Sequence, residues 1–158
     1  MRELVKGEIV LYQPYFEVAR KMAEKSLCLR RKGGSVIIKN MEIIAVGFNQ
    51  PAGERQCHID KRTIDEKVTD KTCCMHAEQV AMINALEKNP RKLKGSIIYF
   101  TSVDEEGNEI KSGKPYCTIC SKMALHIGIS EWILSRENGL YVYNSKEYNI
   151  LSHNYKRE

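Results

Sequence analysis

Apolar residues recur at three- and four-residue intervals in three stretches of the chain, and they alternate or run together in four others. From Pro14 to Leu27, Phe16, Val18, Ala19, Met22 and Ala23 keep a helical period, and Pro14 suits a first turn, which predicts a first helix. Ser35 to Lys39 and Glu42 to Gly47 read as two strands joined at Asn40, a residue that tolerates tight turns; they should form a hairpin. A second helix is predicted from Ala77 to Leu86 and stops at "KNPRK", because Pro90 cannot continue it. "GSIIYFTS" has the character of a buried strand, and the turn residues of "DEEGNE" before Ile110 and Lys111 point to a hairpin-like excursion. "TICSKMALHIG" then reads as a third helix ended by Gly128, and "SEWILS" as a further strand. Asn49 to Thr72 is polar and aperiodic, and a loop of that length is expected to be functional or disordered. The order helix, two strands, helix, strand, helix, strand predicts an α/β sandwich, a mixed sheet of about five strands covered by helices. After Gly139 the tail 139–158 shows no clear element beyond one helical turn in "YNSKEYNIL".

Length adds one constraint: 158 residues suffice for a single domain, 1–158, with its core at about 15–135. The composition, 42% hydrophobic and 28% charged, is that of a globular protein, and no apolar run approaches the ~20 residues that span a bilayer. The first residues are broken by Glu3, Lys6 and Glu8 and lack the apolar centre of a secretory signal, so a cytoplasmic location is expected. In a reducing compartment the six cysteines read as metal ligands, catalytic thiols or core residues rather than disulfides. A net charge of +5 suits a phosphorylated or nucleic-acid partner without requiring one.

Metal chemistry concentrates at two helix starts. Cys117 and Cys120, three apart at the head of the third predicted helix, can turn both thiolates to one side, and His76 opens the second. One histidine and two cysteines leave a fourth tetrahedral position free, the arrangement of a catalytic zinc, which lowers the pKa of water. Glu78 is the candidate proton carrier. Residues two apart on a helix diverge, so His76 and Glu78 converge only at the helix's open end, which predicts His76 at the first helical position. Two alternatives use the same residues: a closed zinc of Cys73, Cys74, Cys117 and Cys120, and a redox Cys-x-x-Cys pair.

"HAE" at His76 to Glu78 followed by "PYCTIC" at Pro115 to Cys120 resembles the zinc-dependent cytidine and deoxycytidylate deaminase superfamily. Upstream, "SLCLRRKGGSVIIKN" and "EIIAVGFNQPAGERQC" look like its deoxycytidylate branch, and the likeness covers about Tyr15 to Ser135. The resemblance implies a cytidine-deaminase-like three-layer sandwich and hydrolytic loss of ammonia from a cytosine nucleotide or nucleoside of the dCMP or CMP type. It implies zinc on His76, Cys117 and Cys120, with Glu78 moving the proton, Asn49 contacting the sugar and the Ala77 N–H holding the base carbonyl. A second, structural zinc is implied at Cys28, Cys57 and Cys74, its fourth ligand His58 or Cys73. A homo-oligomer is implied as well.

Several positions depart from that pattern. Tyr116 stands between Pro115 and Cys117, and the insertion Val103 to Lys114 lies near the expected mouth of the pocket. Gly33-Gly34 stands where Val-Gly is usual, and Gln50 where Gly is common after Asn49. The tail lacks a clear last strand and helix. Tyr141, Tyr143 and Tyr148 are expected to pack on the sheet rather than stack on a base. Arg30, Arg31 and Lys32 could hold a 5′-phosphate or simply be solvated. The alternatives are a deaminase of another small aminated heterocycle, or of a base flipped out of RNA or single-stranded DNA, the last set lower because no long basic stripe interleaves with aromatics. A zinc-stabilised binding module without catalysis is disfavoured by Glu78.

Overall fold

The computed structural model describes residues 1–53, 56–57 and 73–155. In chain order the elements are β1 (Arg2–Glu3), α1 (Lys6–Glu24), β2 (Lys32–Lys39), β3 (Glu42–Phe48), β4 (Gln50–Pro51), β5 (Cys74–Met75), α2 (Ala77–Lys88), a 3-10 turn (Pro90–Lys92), β6 (Ile97–Val103), β7 (Glu109–Ile110), α3 (Thr118–Ile127), β8 (Glu131–Arg136), β9 (Gly139–Asn144) and α4 (Ser145–His153). Among the described residues the main sheet runs β1-β9-β8-β6-β2-β3, and β7 pairs with the end of β6 beyond β8. β6 and β8 are parallel, and the other pairings of this sheet among the described residues are antiparallel. The sheet is mixed, as expected, and its five longer strands match the predicted number. No helix among the described residues is long and apolar enough to cross a membrane.

Alternation along the strands builds two cores. Val36, Ile38, Tyr99, Ile133 and Val142 face Leu4, Phe16 and Ala19, so α1 covers one side. Their neighbours Ile37, Ile98, Trp132, Leu134 and Tyr143 face the other side, against Ala81, Met82 and Ala85 of α2, Cys120 and Ala124 of α3 and Tyr148 of α4. The result is three layers. A Cβ on Gly47 would stand 2.4 Å from both the Ala77 carbonyl oxygen and the Ala81 nitrogen, so only glycine lets α2 lie this close to β3. That approach seats the start of α2 over the sheet.

Two expectations are corrected. The first helix starts at Lys6, not Pro14, and ends at Glu24; Pro14 lies inside it. Pro14 points to solvent, as do Val10 and Leu11 on the preceding turn, so water can solvate the carbonyl that a proline leaves unpaired. Ile9 and Tyr12 continue the buried stripe upstream of Phe16, which is what draws these residues into helix. The tail, in turn, holds both a strand and a helix. Arg136 pairs with Gly139 across a tight turn, β9 runs antiparallel to β8, and the Asn144 side chain caps α4 by accepting from the Lys146 N–H at 2.9 Å. The hairpin β2-β3 forms as predicted, with Asn40 and Met41 at φ of 49° and 61°. Asn49 to Thr72 lies mostly outside the described residues, so the expected character of that loop has no counterpart here.

Candidate metal and catalytic site

Short elements bring the candidate residues together. β4 and β5 form a separate two-residue ladder, Gln50 opposite Met75 and Pro51 opposite Cys74, which holds Asn49 beside His76. His76 is the N-cap of α2, one residue ahead of the expected first helical position, and its own N–H donates to Gln79 Oε1 at 3.0 Å. Cys117 is the N-cap of α3, and its sulfur accepts the Cys120 N–H at 3.4 Å. Two helix starts therefore meet, where backbone N–H groups lack acceptors within the helix.

His76 Nδ1 lies 3.4 Å from Cys117 Sγ and 3.3 Å from Cys120 Sγ, and the two sulfurs are 3.4 Å apart. A tetrahedral zinc with Zn–S near 2.3 Å and Zn–N near 2.0–2.1 Å needs ligand edges of roughly 3.6–3.8 Å. The triangle is slightly contracted from that size, and its donors are the soft thiolates and imidazole that zinc prefers. These residues fit the metal. A hydrogen bond from Cys120 draws the Cys117 thiol down to about 4 against the cost of burial, with further help from His76, while Cys120, as the donor, is pushed up. Burial opposes a charge on His76, but its hydrogen bond with Cys117 and the nearby charges of Glu78 and Cys117 outweigh this and raise it to about 9. The geometry does not form the closed Cys73, Cys74, Cys117, Cys120 site, because the two cysteine pairs belong to different clusters. Adjacent Cys73 and Cys74 lie ahead of α2, and Cys74 clusters with Cys28 and Cys57 instead.

Glu78, 6% exposed, sits beside this triangle, and burial raises its pKa despite the favourable charge of His76. A cleft of about 180 Å³ opens over it, lined by His76, Glu78, Cys117, Asn49, Phe100 and Tyr148 among others. Asn49 Oδ1 is buried there without a hydrogen-bond partner. It fits because residue 33 is glycine: a Cβ there would stand 2.2 Å from that oxygen. Ala77, fully buried, is the first residue of α2, so its N–H lacks an acceptor within the helix.

Cations rim the cleft where the sequence left Arg30 to Lys32 undecided. Arg30, Arg31 and Lys114 line it, and Lys32 instead pairs with Glu105 at 3.0 Å. Although Arg31 as a residue is exposed, its guanidinium donates twice to Ser102 Oγ, at 3.0 and 2.8 Å, and stands 5.7 Å over the Phe100 ring. No carboxylate pairs with Arg31 among the described residues, and desolvation lowers its pKa. The insertion does reach the mouth of the pocket. Ser112 and Gly113 donate backbone N–H groups to Ser135, at 3.2 and 3.0 Å, which places Ser112 and Lys114 on the cleft wall. Sequence reasoning missed Lys114, and a lone lysine after "SGK" carries no signal that could have found it. Tyr143 and Tyr148 pack in the core as expected, and Tyr148 also lines the cleft.

A second cluster flanks the first. The sulfurs of Cys28, Cys57 and Cys74 lie within 4.8 Å of one another. Cys73 joins them, 3.4 Å from Cys57 and 3.7 Å from Cys74, with Cys57 and Cys74 3.3 Å apart. Burial raises the Cys57 and Cys74 thiols. Four sulfurs at such spacing also suit a tetrahedral metal. His58, the other expected fourth ligand, lies outside the described residues.

A family model for the cytidine and deoxycytidylate deaminase zinc-binding region matches residues 11–136. The chain belongs to this deaminase family. Within it, a deoxycytidylate deaminase of Schizosaccharomyces pombe is 26% identical over 124 residues, which cover 74% of this chain and 34% of the yeast protein. This deaminase-family chain thus spans about a third of that relative's length. Among solved structures, the dCMP deaminase from the cyanophage S-TIM5 in complex with dCMP and dUMP is 26% identical with a TM-score of 0.55, over 82% of each chain. Cytidine deaminase from Burkholderia pseudomallei shares the fold, with a TM-score of 0.57 over 92% of this chain and 96% of that one at 16% identity.

Proposed function

We propose that this chain is a hydrolytic deaminase of cytosine nucleotides, of the dCMP or CMP type, releasing ammonia and the uracil product. The observation that carries the reading is the His76, Cys117, Cys120 triangle with edges of 3.3–3.4 Å beside the buried Glu78. Those three residues would hold a zinc, a Lewis acid that makes water acidic enough to attack near neutral pH. Glu78 takes one proton from the water as its oxygen adds to the amino-bearing ring carbon and gives it to the ring nitrogen, then takes the hydroxyl proton of the adduct and gives it to the amino group, which leaves as ammonia. The C–N bond breaks, a C=O bond replaces it, and no oxidant or reductant is involved. The unpartnered Asn49 Oδ1 accepts from a sugar hydroxyl, and the Ala77 N–H donates to the base carbonyl. Arg30, Arg31 and Lys114 receive a 5′-phosphate, which a nucleoside lacks. Cys28, Cys57 and Cys74 hold a second, structural zinc, with Cys73 or His58 as fourth ligand. A homo-oligomer, resting on the family resemblance alone, and a cytoplasmic location complete the reading.

Ammonia release from dCMP, CMP, deoxycytidine, cytidine and single-stranded DNA by zinc-loaded protein tests it, beside Glu78→Ala. The nucleotides should turn over and the nucleosides should lag by at least about tenfold, the scale of one lost charge-assisted contact. Release that survives in Glu78→Ala would refute the proton carrier. Turnover of DNA alone would favour the flipped-base alternative.

A further inference from the structure

The insertion that separates β6 from Cys117 also supports a cation of the cleft rim. Its strand β7 pairs with the end of β6, setting Ile110 opposite Ser102, and Gly33 of β2 lies opposite Ser102 on the other side. Arg31 stands just ahead of β2, and its side chain reaches across to Ser102: Nε at 3.0 Å and Nη2 at 2.8 Å both donate to Oγ. With two N–H groups arriving at one oxygen, the hydroxyl's own hydrogen has to turn away, and the Ile110 carbonyl, 3.4 Å off, accepts it. Ser102 is fully buried and does not line the cleft, whereas Arg31 does. A guanidinium is a rigid planar fork of N–H donors. Ser102 takes the edge between Nε and Nη2, and the edge between Nη1 and Nη2 is left, with the spacing that suits two oxygens of one phosphate. Arg31 has no other hydrogen-bond or ion-pair partner among the described residues to take that edge.

We propose that Ser102 is a positioning residue: steadied by the Ile110 carbonyl of the insertion, it holds Arg31 with one edge of the guanidinium free to take a phosphate. That the phosphate belongs to a substrate rests on the deaminase reading, whereas the hold on Arg31 does not. A side chain fixed beforehand gives up little rotamer freedom when the anion arrives, so loss of the hold belongs to binding rather than to chemistry. Ser102→Ala, which removes one oxygen, tests this on the full-length zinc-loaded protein. The KM for dCMP should rise about tenfold with kcat nearly constant, and the preference for dCMP over deoxycytidine in kcat/KM should fall by the same factor. In an Arg31→Ala background the same change should add less than about twofold, since no guanidinium is left to position. The contact itself is read without turnover, from the magnetic resonance signal of the Arg31 Nε–H, identified by its absence in Arg31→Ala. That hydrogen should exchange slowly with water in the native chain, at least about tenfold faster in Ser102→Ala, and its signal should shift as inorganic phosphate is added to the native chain. An Nε–H that exchanges as fast as that of a free arginine, or that ignores the substitution or the phosphate, overturns the proposal. So does an equal loss on dCMP and deoxycytidine, or full additivity with Arg31→Ala, either of which would mark Ser102 as packing only. Should the native protein release ammonia from no nucleotide, the deaminase reading fails, and the exchange and the phosphate titration still decide the hold on Arg31 and its free edge.

Discussion

Glu78 carries an ionisable group at a point where water scarcely reaches, and its pKa rises for that reason. The sign of the consequence is fixed. Because the folded value lies above the unfolded one, the folded state binds this proton more tightly, and the resulting stability is lost as pH rises through the folded value. Glu78→Gln should therefore abolish turnover, by about a thousandfold or more, without lowering the melting temperature at pH 7. Any advantage in melting temperature over the native chain should shrink on acidification, which a pair of thermal scans would show. His76, Glu78, Cys117 and Cys120 were legible in the sequence because metal and proton chemistry demand those side chains at those spacings. The environment of Asn49 was not. Its trapped oxygen depends on Gly33, which sits next to it only after β2 and β3 have paired, and the rim cations are single residues whose neighbours come from distant segments.

Among the elements, α4 matters beyond its nine residues. Ending the chain after Asn144 removes Tyr148 from the fully buried Trp132 and should cost at least about 3 kcal/mol, the usual scale for deleting a buried aromatic. A red-shifted tryptophan emission and reduced solubility would report it, whereas native emission would contradict the packing described for the tail. This part of the fold was present in the sequence as a weak signal. Asn138-Gly139 is a hairpin signal, Leu140 and Val142 alternate with Tyr141 and Tyr143, and Asn144 is a good helix cap. The aromatic residues of β9 obscured the alternation, since both of its faces are covered. The early start of α1 was hidden by Pro14, whose rule against helix interiors is relaxed where the preceding turn faces water. Strands and helices bounded by clear turn or stop signals, such as β2, β3 and α2, were read within a few residues of their ends.

Across the molecule, three cleft cations oppose one buried carboxylate in a chain of net charge +5. Raising ionic strength should therefore raise KM for dCMP several-fold while leaving KM for a nucleoside nearly constant, as screening shortens the reach of those charges. Equal salt dependence for both substrates would remove the phosphate from the rim. The two sulfur clusters also share a wall, since Cys28 and Cys74 line the same cleft as His76. Purified protein should hold two zinc ions per chain and Cys57→Ser one, with a lower melting temperature, by elemental analysis and thermal scan. The parallel pairing of β6 with β8 has a further consequence, in time rather than in space. Antiparallel neighbours can zip from a turn, but these two strands are joined only through the helix bearing Cys120, and His76 finds its cysteines across 41 and 44 residues of chain. His76, Cys117 and Cys120 become neighbours only when that crossover has closed, so a chain emerging from synthesis cannot complete this triangle before β6 and β8 have come together.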